Sequence, residues 1–268
     1  MVLVEDVTNT NESNSSSTSS NANQQNTQQN NGGLSAFITN DKISFGLFLT
    51  RVFSIVCTFA FLIPIFGYDQ NTLYQKAIMA NAATSALKLH QRISHEPFQF
   101  SREYLGKLMI EDSFHYLLYS FIFLNTSAVT VVLVPIVAFA LLHISAYARN
   151  LLNIVGPNSF GFVLKGINYV TSRQRDLMRF VAINEILLAP TILFMILTGK
   201  CGLFVPFIYY RFICMRYQSR RNPYSREMFY ELRRAIEYYT SQPNCPQIFK
   251  NLSHRLIGLV TKLAPPQL

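Results

Sequence analysis

Residues 116–148 read YLLYSFIFLNTSAVTVVLVPIVAFALLHISAYA, 33 residues without Asp, Glu, Lys or Arg. As one helix they would be about 50 Å long, against a hydrocarbon core of about 30 Å. A single span does not fit that length. Asn125-Thr126-Ser127 is the natural break. The stretch therefore reads as a helical hairpin with arms at about 104–124 and 128–148 and the break at its tip. Its first arm opens amphipathically with Lys107, Glu111 and Asp112.

Working outward toward the C-terminus, a polar connector at 149–176 carries Gly156-Pro157-Asn158 and the bases Arg149, Lys165, Arg173 and Arg175. A second hairpin follows at about 177–198 and 201–217, turning on Gly199-Lys200-Cys201-Gly202. Pro190 and Pro206 lie in its arms. Toward the N-terminus, Thr72–Ile93 has a middle of small residues (Ala77, Ala80, Ala82, Ala83, Ser85, Ala86), which permits close helix approach in lipid. Its Lys76, Lys88 and Arg92 leave two readings open, a packed short span or an interfacial helix. Ile43–Tyr68 is the first apolar segment; Arg51 is expected to snorkel to the headgroups and Pro64 to kink the far end.

Composition agrees. Half of the 268 residues are hydrophobic and 14% are charged, where soluble domains carry roughly 25% charged residues. Residues 8–33 are rich in Asn, Ser, Gln and Thr and bury too little apolar surface to offset ordering entropy. Two sequons, at Asn11 and Asn14, sit in that tail and matter only if it is luminal. No leader is expected, because the first 40 residues lack an apolar core and hold Glu5 and Asp6. The fold class is all-α: a polytopic helical membrane protein with hairpin-like apolar segments. It divides into a disordered tail (1–40), a helical membrane domain (41–218) and a basic amphipathic cytosolic end (219–268).

The net charge of +9 is localised. Residues 211–268 hold ten Lys/Arg against three acids, Glu227, Glu231 and Glu237, which places +7 there. A basic end beside apolar segments points to the cytosolic face and its anionic lipids. Nucleic acid is not the expected partner, since no groove-reading or RNA-stacking motif accompanies the charge. Within this end, 225–240 reads as helix and 247–263 as an amphipathic one. Phe249, Leu252, Leu256, Leu259, Val260 and Leu263 recur at helical spacing, with Lys250, His254, Arg255 and Lys262 on other faces. The helix either lies in the membrane surface, apolar side down, or packs on the protein's own membrane domain.

Candidate chemistry is sparse. His90 and His95 have an HxxxxH spacing, but five histidines do not supply the several boxes of a membrane di-iron site. Glu111 and His115 are i,i+4 and can meet on one helix face without an HExxH pattern. These residues are the basis for a lipid-modifying enzyme reading. Cys57, Cys201, Cys214 and Cys245 form no CxxC; buried or reduced thiols are expected, with Cys214 beside Arg211 and Arg216 as a conceivable acylation site. No catalytic residue, cofactor or metal is expected. Glu185, in a long apolar run, is the residue that needs an explanation. An intramembrane carboxylate usually faces a partner or cavity, and Lys200 or Arg211 on the other arm is the expected partner, with protonation the alternative. A transporter or channel subunit would use such a residue for coupling, but no inverted repeat accompanies it.

Five stretches carry a resemblance: MANAATSALKLHQR (79–92), EDSFHYLLYSFIF (111–123), FVAINEILLAP (180–190), PFIYYRFICMRYQSRRNPY (206–224) and RLIGLVTKLAPP (255–266). Together they resemble the transmembrane protein 33 family, with its fly Krüppel homolog 2 and yeast pore-membrane relatives, over about 36–266. The fourth is the most specific, with Tyr209, Tyr210 and Arg211 followed by Arg220, Arg221, Asn222, Pro223 and Tyr224 as candidate partner contacts. The resemblance implies a non-enzymatic, multi-pass protein of the endoplasmic reticulum and nuclear envelope. It implies links to reticulon-type partners, tubular network organisation, nuclear pore distribution and the ER stress response. The polar N-tail is longer and lower in complexity than the family leads one to expect. Six crossings would put the N-terminus in the cytosol with the C-terminus; five would put it in the lumen.

Overall fold

The computed structural model describes residues 39, 41–63, 67–94, 101–155, 160–243 and 245–264. The expectations for the tail and its sequons, the Pro64 kink, His95 and Gly156-Pro157-Asn158 lie outside them. The described residues form ten helices and no strand. They are α1 (Lys42–Leu62), α2 (Gln70–Ile93), α3 (Arg102–Ile110), α4 (Asp112–Leu124), α5 (Thr130–Val155), α6 (Gly161–Ser172), α7 (Gln174–Leu197), α8 (Val205–Gln218), α9 (Tyr224–Ser241) and α10 (Gln247–Leu263).

Side-chain chemistry sets several helix ends. Asp41 and Asp69 accept the backbone N–H of Ser44 and Thr72, capping α1 and α2. The Thr72 hydroxyl bonds Asp69 as well, and the two bonds hold that carboxyl below its usual range. Gly199, at φ 69°, ends α7: its N–H reaches the Ile196 carbonyl, and the Lys200 N–H reaches that of Met195. This is a Schellman closure, and it needs the positive φ that glycine adopts without strain. Pro206 sits in the first turn of α8, where no N–H is required.

Three antiparallel pairs, α1–α2, α4–α5 and α7–α8, turn at the same end of the bundle. Ser54 Oγ donates to the Ala77 carbonyl, and Thr84 and Thr50 bond across α1 and α2. Asn81 Nδ2 donates to Ser120 Oγ between α2 and α4, and Tyr119 OH to the Val132 carbonyl between α4 and α5. The Ser127 N–H bonds the Lys200 carbonyl, joining two tips. The expected break at 125–127 is thus a real turn. Its arms are unequal, however: α4 has 13 residues, because α3 bends away at Glu111, while α5 has 26. Likewise α8 has 14 residues beside 24 in α7. The short arms are only about 20 Å long.

The core runs along the short arms as an aromatic column. Tyr119 lies 4.8 Å from Phe123 and 5.2 Å from Phe212, and Tyr116 lies 4.6 Å from Phe139, ring centre to ring centre. Helix α2 packs against α1 and α4, burying Tyr74, Ala77, Ile78 and Ala80, so the small-residue face does bring helices together. Outside, Leu49, Phe53, Val56 and Phe59 of α1 and Leu193, Phe194 and Leu197 of α7 are exposed. A band of that size faces lipid rather than water. Among the described residues three helices, α1, α5 and α7, are long and apolar enough to cross a membrane.

Candidate functional site

Glu185 lies on the inner face of α7 with Val181, Leu188 and Ile192, and is 1% exposed. Its partner is Arg216, whose Nε donates to Oε2 at 3.1 Å and which is itself 1% exposed. Tyr116 OH donates to Oε1. Arg216 also reaches Asp112 Oδ1 at 3.3 Å, where Ser219 Oγ donates at 3.0 Å, and its guanidinium lies 5.1 Å from the Tyr116 ring centre. Tyr209 OH donates to the Glu185 carbonyl at 2.6 Å.

The expected partners, Lys200 and Arg211, are therefore wrong, for reasons of phase and depth. On α8 the inward residues are Tyr209, Phe212 and Arg216, at i, i+3 and i+7, and Arg211 falls on the exposed side. Lys200 sits past the tip, about 20 Å along the helix from Glu185. Arg216 is the residue that sequence reasoning missed. Its signal was the seven-residue spacing from Tyr209, which puts it on the same side of α8.

Glu111 accepts from Arg92 at 2.8 Å and from Arg221 at 2.7 Å. Its carboxylate does not pair with the His115 ring, contrary to the i,i+4 expectation; the two residues meet only where the His115 N–H bonds the Glu111 carbonyl at 3.3 Å. Glu111 has extended backbone geometry and precedes α4 rather than belonging to it, so the helical spacing does not apply. His115 is buried instead with Nε2 against the Met109 carbonyl and Nδ1 3.6 Å from Asp112. Arg51 does not snorkel outward either; α1 turns it inward, 9% exposed. His90 is exposed, and no cluster of three His, Cys, Asp or Glu residues that could hold a metal occurs among the described residues. Cys214 is buried and out of reach of an acylating enzyme unless α8 moves.

The 206–224 motif is divided by this geometry. Tyr209 and Asn222 are buried, and Arg221 is held by Glu111. Asn222 Oδ1 accepts the Tyr224 N–H, forming the turn into α9 next to Pro223. Tyr210, Arg211 and Arg220 face outward. Tyr209→Phe removes one buried hydrogen bond and should lower stability by about 1 kcal/mol, read from unfolding in detergent.

Helix α9 is tied to the basal half of α7 by Arg175 with Glu227 and by Arg179 with Glu227 and Glu231. Helix α10 packs on α9. At 100° per residue, Ile248, Phe249, Leu252, Leu256, Leu259, Val260 and Leu263 share an arc of about 120°. Their exposure is 46–78%. The buried or half-buried positions are Ser253, Ile257 and Lys250, on the edge beside that arc. Thus α10 is seated by a narrow flank, and its apolar face stays open. Arg255 and Lys262 border the face on the other side and are exposed. Tyr210 OH donates to the Leu263 carbonyl at 2.7 Å, fastening the end of α10 to α8.

Residues 25–266 match the family described as Transmembrane protein 33/Nucleoporin POM33. The chain belongs to this family. Mouse Transmembrane protein 33 is 41% identical over 234 residues, covering 87% of this chain and 94% of the mouse protein. Krueppel homolog 2 of Drosophila melanogaster is 38% identical, over 87% of this chain and 82% of the fly protein. The Caenorhabditis elegans Transmembrane protein 33 homolog is 32% identical, over 87% and 86%. No solved structure matches. The region matched to the family takes in all ten helices, so the charge network, the motif turn and α10 all fall within it.

Proposed function

We propose that this family member is a non-enzymatic organiser of the endoplasmic reticulum and pore membrane. It acts through contacts with the bilayer and with reticulon-type and pore-membrane partners, and is linked through them to tubular network shape and the ER stress response. The observation that carries the reading is the open apolar face of α10, flanked by Arg255 and Lys262 and fixed to a membrane bundle. Such a face inserts shallowly into one leaflet, held by apolar burial and by attraction to anionic lipid. Tyr210, Arg211 and Arg220 are exposed and available to partners.

Charge distribution supports a cytosolic base. The tip connections hold Asp69 and Lys200 among the described residues, whereas Lys42, Arg92, Arg102, Arg149, Arg173, Arg175, Arg220 and Arg221 gather at the other end. Because the three pairs run antiparallel, the chain enters α1 from the end at which it leaves α8. The N-tail then lies with the C-terminus in the cytosol, and Asn11 and Asn14 carry no glycan. Endoglycosidase treatment should leave the mobility of the chain unchanged; a shift abolished by Asn11→Gln and Asn14→Gln would overturn this sidedness.

The function is tested by affinity purification from mild-detergent membranes, comparing the full chain with one ended after Ser241. Reticulon-type or pore-membrane proteins recovered with the first and lost with the second are expected. Recovery of a transport or lipid-synthesis assembly instead would refute the reading. The transporter alternative rests on Glu185, whose carboxylate is already occupied by Arg216 and Tyr116. A reconstituted flux abolished by Glu185→Gln in a folded protein would restore that alternative.

A further inference from the structure

The charge network borders a cavity of about 70 Å³ between α1, α2, α4, α5 and α8. Five cationic side chains line it, Arg51, Lys88, Arg92, Arg216 and Arg221, against two carboxylates, Glu111 and Asp112. Both carboxylates are already engaged, Glu111 by Arg92 and Arg221 and Asp112 by Arg216. Three lining residues keep a buried donor without a hydrogen-bond partner: Arg51 Nη2, Arg216 Nη2 and Asn222 Nδ2. Arg51 is 9% exposed, and Arg216 and Asn222 are 1% exposed. Lys88 Nζ lies 3.5 Å from His143 Nε2 on the same wall.

This is an unusual place for Arg51. A guanidinium taken out of water costs several kcal/mol unless an anion compensates it, and Arg51 makes no ion pair among the described residues. The surplus donors belong to planar guanidinium and amide groups, which suit an oxyanion with several acceptor oxygens. The volume is several times the roughly 10–15 Å³ that admits one water. We propose that this cavity binds a phosphate group, with Arg51, Arg216 and Asn222 donating to its oxygens and Lys88 adding charge. The group comes either from an anionic phospholipid headgroup entering from the basal side or from a soluble phosphate. The site is independent of α10 and of the partner reading above.

The full chain in dodecylmaltoside, a detergent without phosphate, is the material for the test. Its thermal midpoint is read with inorganic phosphate, with phosphatidic acid in the micelle, and with diacylglycerol as the control lipid. A rise with phosphatidic acid alone assigns the lipid source; a rise with both ligands shows that the phosphate group suffices. Arg51→Met should fold at least as well as the parent, because it removes an uncompensated buried cation, and should weaken the ligand at least tenfold. Lys88→Met should weaken it while keeping the fold, and the surface substitution Arg211→Gln should leave binding intact. No rise with either phosphate ligand, a rise equal to that with diacylglycerol, or an Arg51→Met response equal to the parent's would overturn the proposal.

Discussion

Replacing Arg216 with methionine is expected to lower the unfolding free energy of the detergent-solubilised protein by about 3–5 kcal/mol. Arg216 closes a chain of contacts joining α7 through Glu185, α4 through Asp112 and Tyr116, and the turn into α9 through Ser219. Removing it leaves Glu185 buried with Tyr116 as its remaining side-chain partner, and taking up a proton is its way out of that position. The double substitution Glu185→Leu with Arg216→Met should recover most of the loss, because two apolar side chains of similar size need no compensation. The measurement is a double-mutant cycle on thermal or denaturant unfolding. A single substitution costing no more than Tyr209→Phe would show that Arg216 is dispensable to the fold.

The second large effect concerns α10. A peptide covering 245–264 should bind vesicles containing anionic lipid, and Leu256→Asp, Leu259→Asp and Leu263→Asp together should lower its partitioning by about three orders of magnitude. Burying a leucine is worth roughly 1.5–3 kcal/mol. Three leucines at the lower figure total about 4.5 kcal/mol, or about 10³ in the partition constant. The added carboxylates also meet a negative surface. Vesicle co-sedimentation reads the result directly. Unchanged binding would remove α10 from the membrane and leave its open face to a protein partner.

The hairpins were legible because a charge-free run of 33 residues is too long for one span, so a turn had to fall at its polar interruption. The two C-terminal helices were legible from spacing alone. What escaped was inward direction. Helix α1 is apolar on nearly every side, so nothing in its pattern told that Arg51 turns toward the core with Leu47 and Ser54. The pairing of Glu185 escaped because α8 also carries Arg211, and choosing between two arginines needs the phase that Tyr209 and Phe212 set by packing on α4. Glu111 was misread because its conformation is fixed by two distant arginines, on α2 and after α8, rather than by its neighbours in the chain.

The unequal arms have a consequence for the bilayer itself. Glu185, Arg216, Asp112 and Arg51 all lie about 17–18 Å from the tip ends of their helices. Inside the bundle, the stretch free of charge therefore covers little more than half of an average hydrocarbon core. The short arms α4 and α8 reach only about 20 Å, so the surrounding lipid must thin toward them, at a fraction of a kcal/mol per Å of mismatch. That cost is smallest in the thinnest membranes of the secretory route. A bundle of this shape is under least strain in a thin bilayer, and in a thicker one it draws the lipid inward around its short arms.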